Sequence, residues 1–116
     1  MILFPAIDLR QGRCVRLVQG LPEHQTIYSE HPAEVAADFA ARGARFLHVV
    51  DLDGAFSGAP KNIDAIRSIA ATINIPFQVG GGLRSMADIE QCLAGGANRV
   101  IIGTKAVTDP DFIPQL

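Results

Sequence analysis

Short apolar runs alternate with amphipathic stretches along the whole chain. The runs are Ile2 to Ile7, closing on Asp8; Phe46 to Val50, closing on Asp51; Ile75 to Val79, closing on Gly80-Gly81-Gly82; and Val100 to Ile102, closing on Gly103-Thr104. Near-continuous apolar runs of this length predict strands buried on both faces, as parallel strands are. Helical patterns fill the gaps. Pro32 suits a first helical position, Val35 and Phe39 fall on one face, and Gly43 ends the segment. Asn62 is placed to cap a second helix, in which Ile63, Ile66, Ile69 and Ile73 form an apolar stripe. Ser85 and Asp88 make a capping-box-like pair for a third, which packs Ile89 and Leu93 and stops at Gly95-Gly96. Thr108 or Asp109, followed by Pro110, starts a fourth. The order predicts an α/β fold of four strand–helix units. Its strands run parallel in sequential order, with helices on one side and strands one and four as open edges unless something else closes them.

Two departures from this rhythm matter. Between the first strand and the first helix, Arg13 to Val18 alternates polar and apolar, and Gln25 to Tyr28 is placed to pair with it as an inserted hairpin. Ala41-Arg42-Gly43-Ala44 before the second strand echoes Ala94-Gly95-Gly96-Ala97 before the fourth. A duplicated unit and a plain glycine turn explain that echo equally well.

Composition narrows the function. The 116 residues are 48% hydrophobic and 19% charged, as a packed globular domain requires. A net charge of −2 offers no basic excess for a nucleic-acid backbone or an anionic membrane. The start of the chain, Met1-Ile2-Leu3-Phe4-Pro5, has neither the basic region nor the long apolar run of a signal peptide or membrane span. Cys14 and Cys92 fit no metal or redox spacing and read as reduced thiols, which suits a cytoplasmic protein.

The unusual residues collect at the carboxyl ends of the strands, where parallel α/β folds bind ligands. Gly80-Gly81-Gly82 precedes Leu83-Arg84 and a helix start, and Gly103-Thr104 repeats the arrangement one unit later. Glycines admit a ligand close to the backbone, and N–H groups at a helix start favour an anion, so the two turns together point to one phosphate. A tight strand-to-helix turn explains either glycine run alone. Asp8 ends an apolar strand, where partial burial would raise its pKa and suit it to proton transfer; a loop-holding aspartate is the alternative. Asp51 and Asp53 carry the same two readings. His48 lies inside a strand, where a packed interior histidine is the plainer reading. Arg16 and Arg84 are candidate anion binders, or ordinary solvated arginines.

Five segments taken together resemble the phosphoribosylformimino-aminoimidazole carboxamide ribotide isomerase family. They are Pro5-Ala6-Ile7-Asp8-Leu9, Gly12-Arg13-Cys14-Val15-Arg16-Leu17, Leu47 to Ala55, Gln78 to Arg84 and Arg99 to Thr104. The resemblance implies a TIM (β/α)₈ barrel, of which residues 1–116 are the first four units, with the inserted hairpin over the barrel mouth. It implies an Amadori rearrangement of a ribosyl aminoaldose bearing two phosphates, with no metal or organic cofactor. By resemblance Asp8 is one of two catalytic carboxylates. Gly81, Gly82, Gly103 and Thr104 hold a phosphate, while Arg16, His48 and Arg84 line the substrate channel. Members of the family are roughly twice this length, as an eightfold barrel requires, and the second carboxylate and second phosphate site follow later strands. An inner layer made of Ile7, Val49, Val79 and Ile101 or their neighbours would then lack half its partners. Residues 1–116 alone are therefore expected to be inactive and to self-associate through open edges. The competing readings are a non-catalytic phosphate-binding half-barrel and a relative of the cyclase subunit of imidazole glycerol phosphate synthase. The cyclase pattern ends its fourth strand near Asn-Thr, where this chain has Gly103-Thr104.

Overall fold

A computed structural model describes residues 5–18, 21–57, 61–81, 83 and 85–101. Strand β1 (Ala6–Arg10) leads into the hairpin β2 (Arg13–Val18) and β3 (Leu21–Ser29). Helix α1 (Pro32–Ala41), β4 (Leu47–Asp51), a short α2 (Leu52–Ser57), α3 (Ile63–Thr72), β5 (Phe77–Gly80), α4 (Met86–Ala94) and β6 (Arg99–Val100) follow. The six strands form one sheet in the order β3-β2-β1-β4-β5-β6. The pairs β1–β4, β4–β5 and β5–β6 are parallel and sequential, as the repeating pattern predicts.

The hairpin also forms, with Val15 opposite Ile27 and Leu17 opposite Gln25. It is joined to the sheet rather than merely laid over its end. Antiparallel pairing of Asp8 with Val15, Leu9 with Cys14 and Arg10 with Arg13 covers the free edge of β1. Strand one is thus not an open edge, because the hairpin closes it. An edge strand with unpaired N–H and C=O groups takes the nearest strand that can satisfy them.

Burial alternates along the strands instead of covering both faces. Ile7, Leu9, Leu47, Val49, Phe77 and Val79 are fully buried, whereas Asp8, His48, Val50 and Gln78 are only half-buried. The buried set packs in one cluster with Ala36 of α1, Ile66 and Ile69 of α3 and Cys92 of α4, so these three helices lie on one side of the sheet. Full burial of each isoleucine is worth about 1.5–3 kcal/mol. Ile7, Val49 and Val79 therefore face the helices, so of the two choices for the inner layer, these residues or their neighbours, the named ones are corrected and the opposite face falls to their neighbours. The register places Asp8, His48, Val50 and Gln78 on the opposite face, because successive side chains of a strand alternate.

The helices end as their sequences dictate, with two changes. The Ser85 hydroxyl accepts from the Asp88 N–H at 3.1 Å and caps α4. Gly96, at φ 115° and where a Cβ would overlap that of Ala70, closes the same helix. Leu93, expected in the core, is exposed, and Cys92 takes the buried position one residue earlier. Asn62 occupies the N-cap position of α3 but its side chain does not cap it, being committed elsewhere. The helix expected from Thr108 onward lies outside the described residues.

Candidate active site

The polar side chains of the open face come from three adjacent strands. Asp8 of β1 pairs with Val50 of β4, and Ala6 pairs with His48, so Asp8 and His48 are diagonal neighbours on one surface. His48 pairs in turn with Gln78 of β5, and the Gln78 Nε2 lies 3.0 Å from the His48 Nδ1. Gly80 continues this line. A Cβ built on Gly80 would meet the His48 Cε1 at 3.6 Å, so the imidazole leans along the sheet toward the strand ends.

Asp8 is chemically set apart by this setting. Burial pushes its carboxyl above the ordinary 3.8, and the neighbouring His48 partly offsets the rise. Tyr28, from the hairpin, is within electrostatic reach of Asp8 and is itself pushed up by burial and by Cys14 and Asp8. A half-buried acid with a raised pKa, beside an imidazole on a solvent-reached face, can hold and release a proton.

The remaining predicted residues divide. Arg16 alternates away from Val15, the residue opposite Asp8, and its guanidinium stands 6.0 Å from the centre of the Tyr28 ring. Its charge acts on Tyr28, which also feels Asp8. Gly81 sits at the end of β5 with φ 103°, and a Cβ there would overlap the backbone carbonyl oxygen of Asp51. The turn is thus glycine for a packing reason of its own, whatever it binds. Gly82, Arg84, Gly103 and Thr104 lie outside the described residues.

Asp51 and Asp53 are holders of loops. The Asp51 side chain, 1% exposed, accepts from the N–H groups of Gly54 at 2.8 Å, Lys61 at 2.6 Å and Asn62 at 2.9 Å, and from the Asn62 amide at 2.6 Å. Asp53 accepts from the Gln11 N–H at 2.6 Å and from Asn62 at 3.0 Å, and its carboxylate stands 3.7 Å from the Arg10 Nε. The Asn62 Oδ1 accepts from the Gly12 N–H at 2.8 Å, which is why that side chain is not free to cap α3. A cavity of about 650 Å³ beside this cluster is lined by Gln11, Gly12, Asp53, Lys61, Asn62, Asp64 and Ala65, and Asp8, Arg16, His48 and Gly81 are not among its lining residues. Its size does not make it the site, because the titratable pair Asp8 and His48 stands on the sheet face. Gln78 and Tyr28 escape a reading of the sequence, since only the register brings them to His48 and Asp8.

A profile of the family described as histidine biosynthesis protein matches residues 2–116. The chain belongs to the histidine biosynthesis protein family. That family is a TIM barrel, in keeping with the sequential parallel strands seen here. Relatives within the histidine biosynthesis protein family match along the whole chain. The protein of Syntrophomonas wolfei is 63% identical over 116 residues, covering 100% of this chain and 48% of the relative. That of Pelotomaculum thermopropionicum is 55% identical over 115 residues, covering 99% and 44%. That of Moorella thermoacetica is 53% identical over 113 residues, covering 97% and 46%. Each is named as a phosphoribosyl imidazole-4-carboxamide isomerase. The chain spans about half the length of these curated relatives. Among the described residues, no helix is long and apolar enough to cross a membrane.

Proposed function

We propose that this chain forms the N-terminal (β/α)₄ half of a TIM-barrel aldose–ketose isomerase acting on a bis-phosphorylated ribosyl aminoaldose in histidine biosynthesis. One observation carries the reading. Asp8, with its raised pKa, stands beside His48 on the open sheet face of a chain 63% identical, over its full length, to a named isomerase. In the Amadori rearrangement the ring oxygen takes up a proton as its bond to C1 breaks, leaving an iminium between C1 and the amine. Loss of the C2 proton gives an enolamine, which tautomerises to the aminoketose. Asp8 serves one of the two proton transfers, and a carboxylate from the other half of the barrel serves the second. Proton transfer between carboxylates and substrate calls for no cofactor.

Gly81 and Gly82, with Gly103 and Thr104 one strand later, form one phosphate site. Arg84 and His48 line the substrate channel beside it, with Arg16 at its rim. Two buried, reduced thiols suit a cytoplasmic setting.

The test is reconstitution. Residues 1–116 are mixed or co-expressed with a polypeptide covering the remaining length of the Syntrophomonas wolfei relative, and the Amadori step is assayed. Activity is expected in the mixture, with none in residues 1–116 alone, which light scattering should find self-associated. Asp8→Asn should lower turnover in the mixture at least about a thousandfold, within the range general acid–base catalysis contributes. Near-normal turnover by Asp8→Asn, or a monomeric and active chain on its own, would overturn the proposal.

A further inference from the structure

Gln78 is half-buried on the face that carries Asp8 and His48, and the isomerase reading gives it no task. Its geometry supplies one. A carboxamide nitrogen only donates, so its approach to the His48 Nδ1 at 3.0 Å makes that ring nitrogen the acceptor. A neutral imidazole that accepts at Nδ1 carries its proton on Nε2. On its other side Gln78 has Arg99 of β6 as its register partner, and the Arg99 guanidinium stacks on the Phe46 ring, 4.6 Å from its centre. The NH₂ group is the end of the carboxamide set against His48. Gly80, next along β5 on the same face, leaves room for the ring to lean toward the strand ends.

We propose that Gln78 is a positioning residue that holds His48 in the Nε2–H form, with that N–H donor presented on the open face beside Asp8. A fixed donor is what an oxygen-rich sugar phosphate needs at this place, and it leaves Asp8 as the group on this patch that exchanges protons. The proposal rests on the isomerase reading for the identity of the ligand, but the state of the ring can be measured without one.

The chain is labelled with nitrogen-15 at histidine, and the ring nitrogens are read by two-bond proton–nitrogen correlation at a pH where His48 is neutral. His48→Asn identifies the resonances among the three histidines. The wild-type chain should show a protonated Nε2 and a bare Nδ1. Gln78→Leu should lose that preference, and Gln78→Glu, near in shape but with only acceptors, should reverse it. Circular dichroism verifies that both variants are folded. In the reconstituted isomerase, Gln78→Leu should lower kcat/KM about tenfold, the scale of one lost hydrogen bond. It should have no further effect in a His48→Asn background, whereas damage to the fold would add to any other change. A wild-type His48 protonated on Nδ1, or a folded Gln78→Leu with the wild-type ring pattern, would overturn the proposal. Absence of isomerase activity in the wild-type mixture would tell against the isomerase reading alone, with the ring pattern still deciding the role of Gln78.

Discussion

At the scale of single residues, chemistry and packing pull in opposite directions. Asp8 has a raised pKa because burial disfavours its charge. Between the ordinary value and the raised one, the folded chain holds a proton that the unfolded chain has released. Stability therefore falls as pH rises through that window, and the cost persists above it. Asp8→Asn should stabilise the chain at neutral pH by less than about 1 kcal/mol, since solvent screens a half-exposed carboxylate. The gain should fade as pH falls through that window and be gone below 3.8, as urea titrations at several pH values would show. Gly81 is the opposite case. With φ at 103° and the Asp51 carbonyl where a Cβ would sit, Gly81→Ala should cost about 2–4 kcal/mol by the same measurement. The sequence makes Asp8 and Gly81 visible as candidates because both interrupt the pattern at a strand end. It does not show that Asp51 is a brace, because that depends on Asn62, Lys61 and Gly54 arriving around it.

At the scale of elements, the main strands and helices were legible because period and punctuation agree. Pro32 opens α1, Ser85 caps α4, and the isoleucine stripe of α3 turns toward the sheet. What could not be read was which side of each strand faces the helices, since valines and isoleucines occupy both sides of a run such as Val49-Val50. The half-buried polar residues Asp8, His48 and Gln78 carry that information, and they become meaningful only in register. The short α2 was also missed. Asp51 holds its first turn through the Gly54 N–H and ties the start of α3 to that same turn through Lys61 and Asn62. Asp51→Ala removes one acceptor group from four donors, two of them in buried bonds with Asn62. The expected loss is about 3 kcal/mol, with Asp51→Asn losing less; thermal unfolding followed by circular dichroism checks both.

At the scale of the whole molecule, the two thiols report on global opening. Burial pushes Cys92 up to about 11 and raises Cys14 as well. Both lie in the single core cluster, at 0% exposure. Labelling by a thiol-specific disulfide reagent at pH 8 should therefore be slow, and should accelerate for both cysteines together as urea is added. A fast phase for one thiol in the native chain would show that its part of the core opens separately. The same unity has a consequence for the order in which the chain takes shape. The turn at Gln11-Gly12 is local in sequence, yet its two N–H groups are satisfied by Asp53 and Asn62, across 42 and 50 positions. During synthesis β1 and β2 emerge before their partners and wait, the turn between them still bonded to water. Only when residue 62 has left the ribosome can the turn lock, so a turn local in sequence is completed by long-range partners.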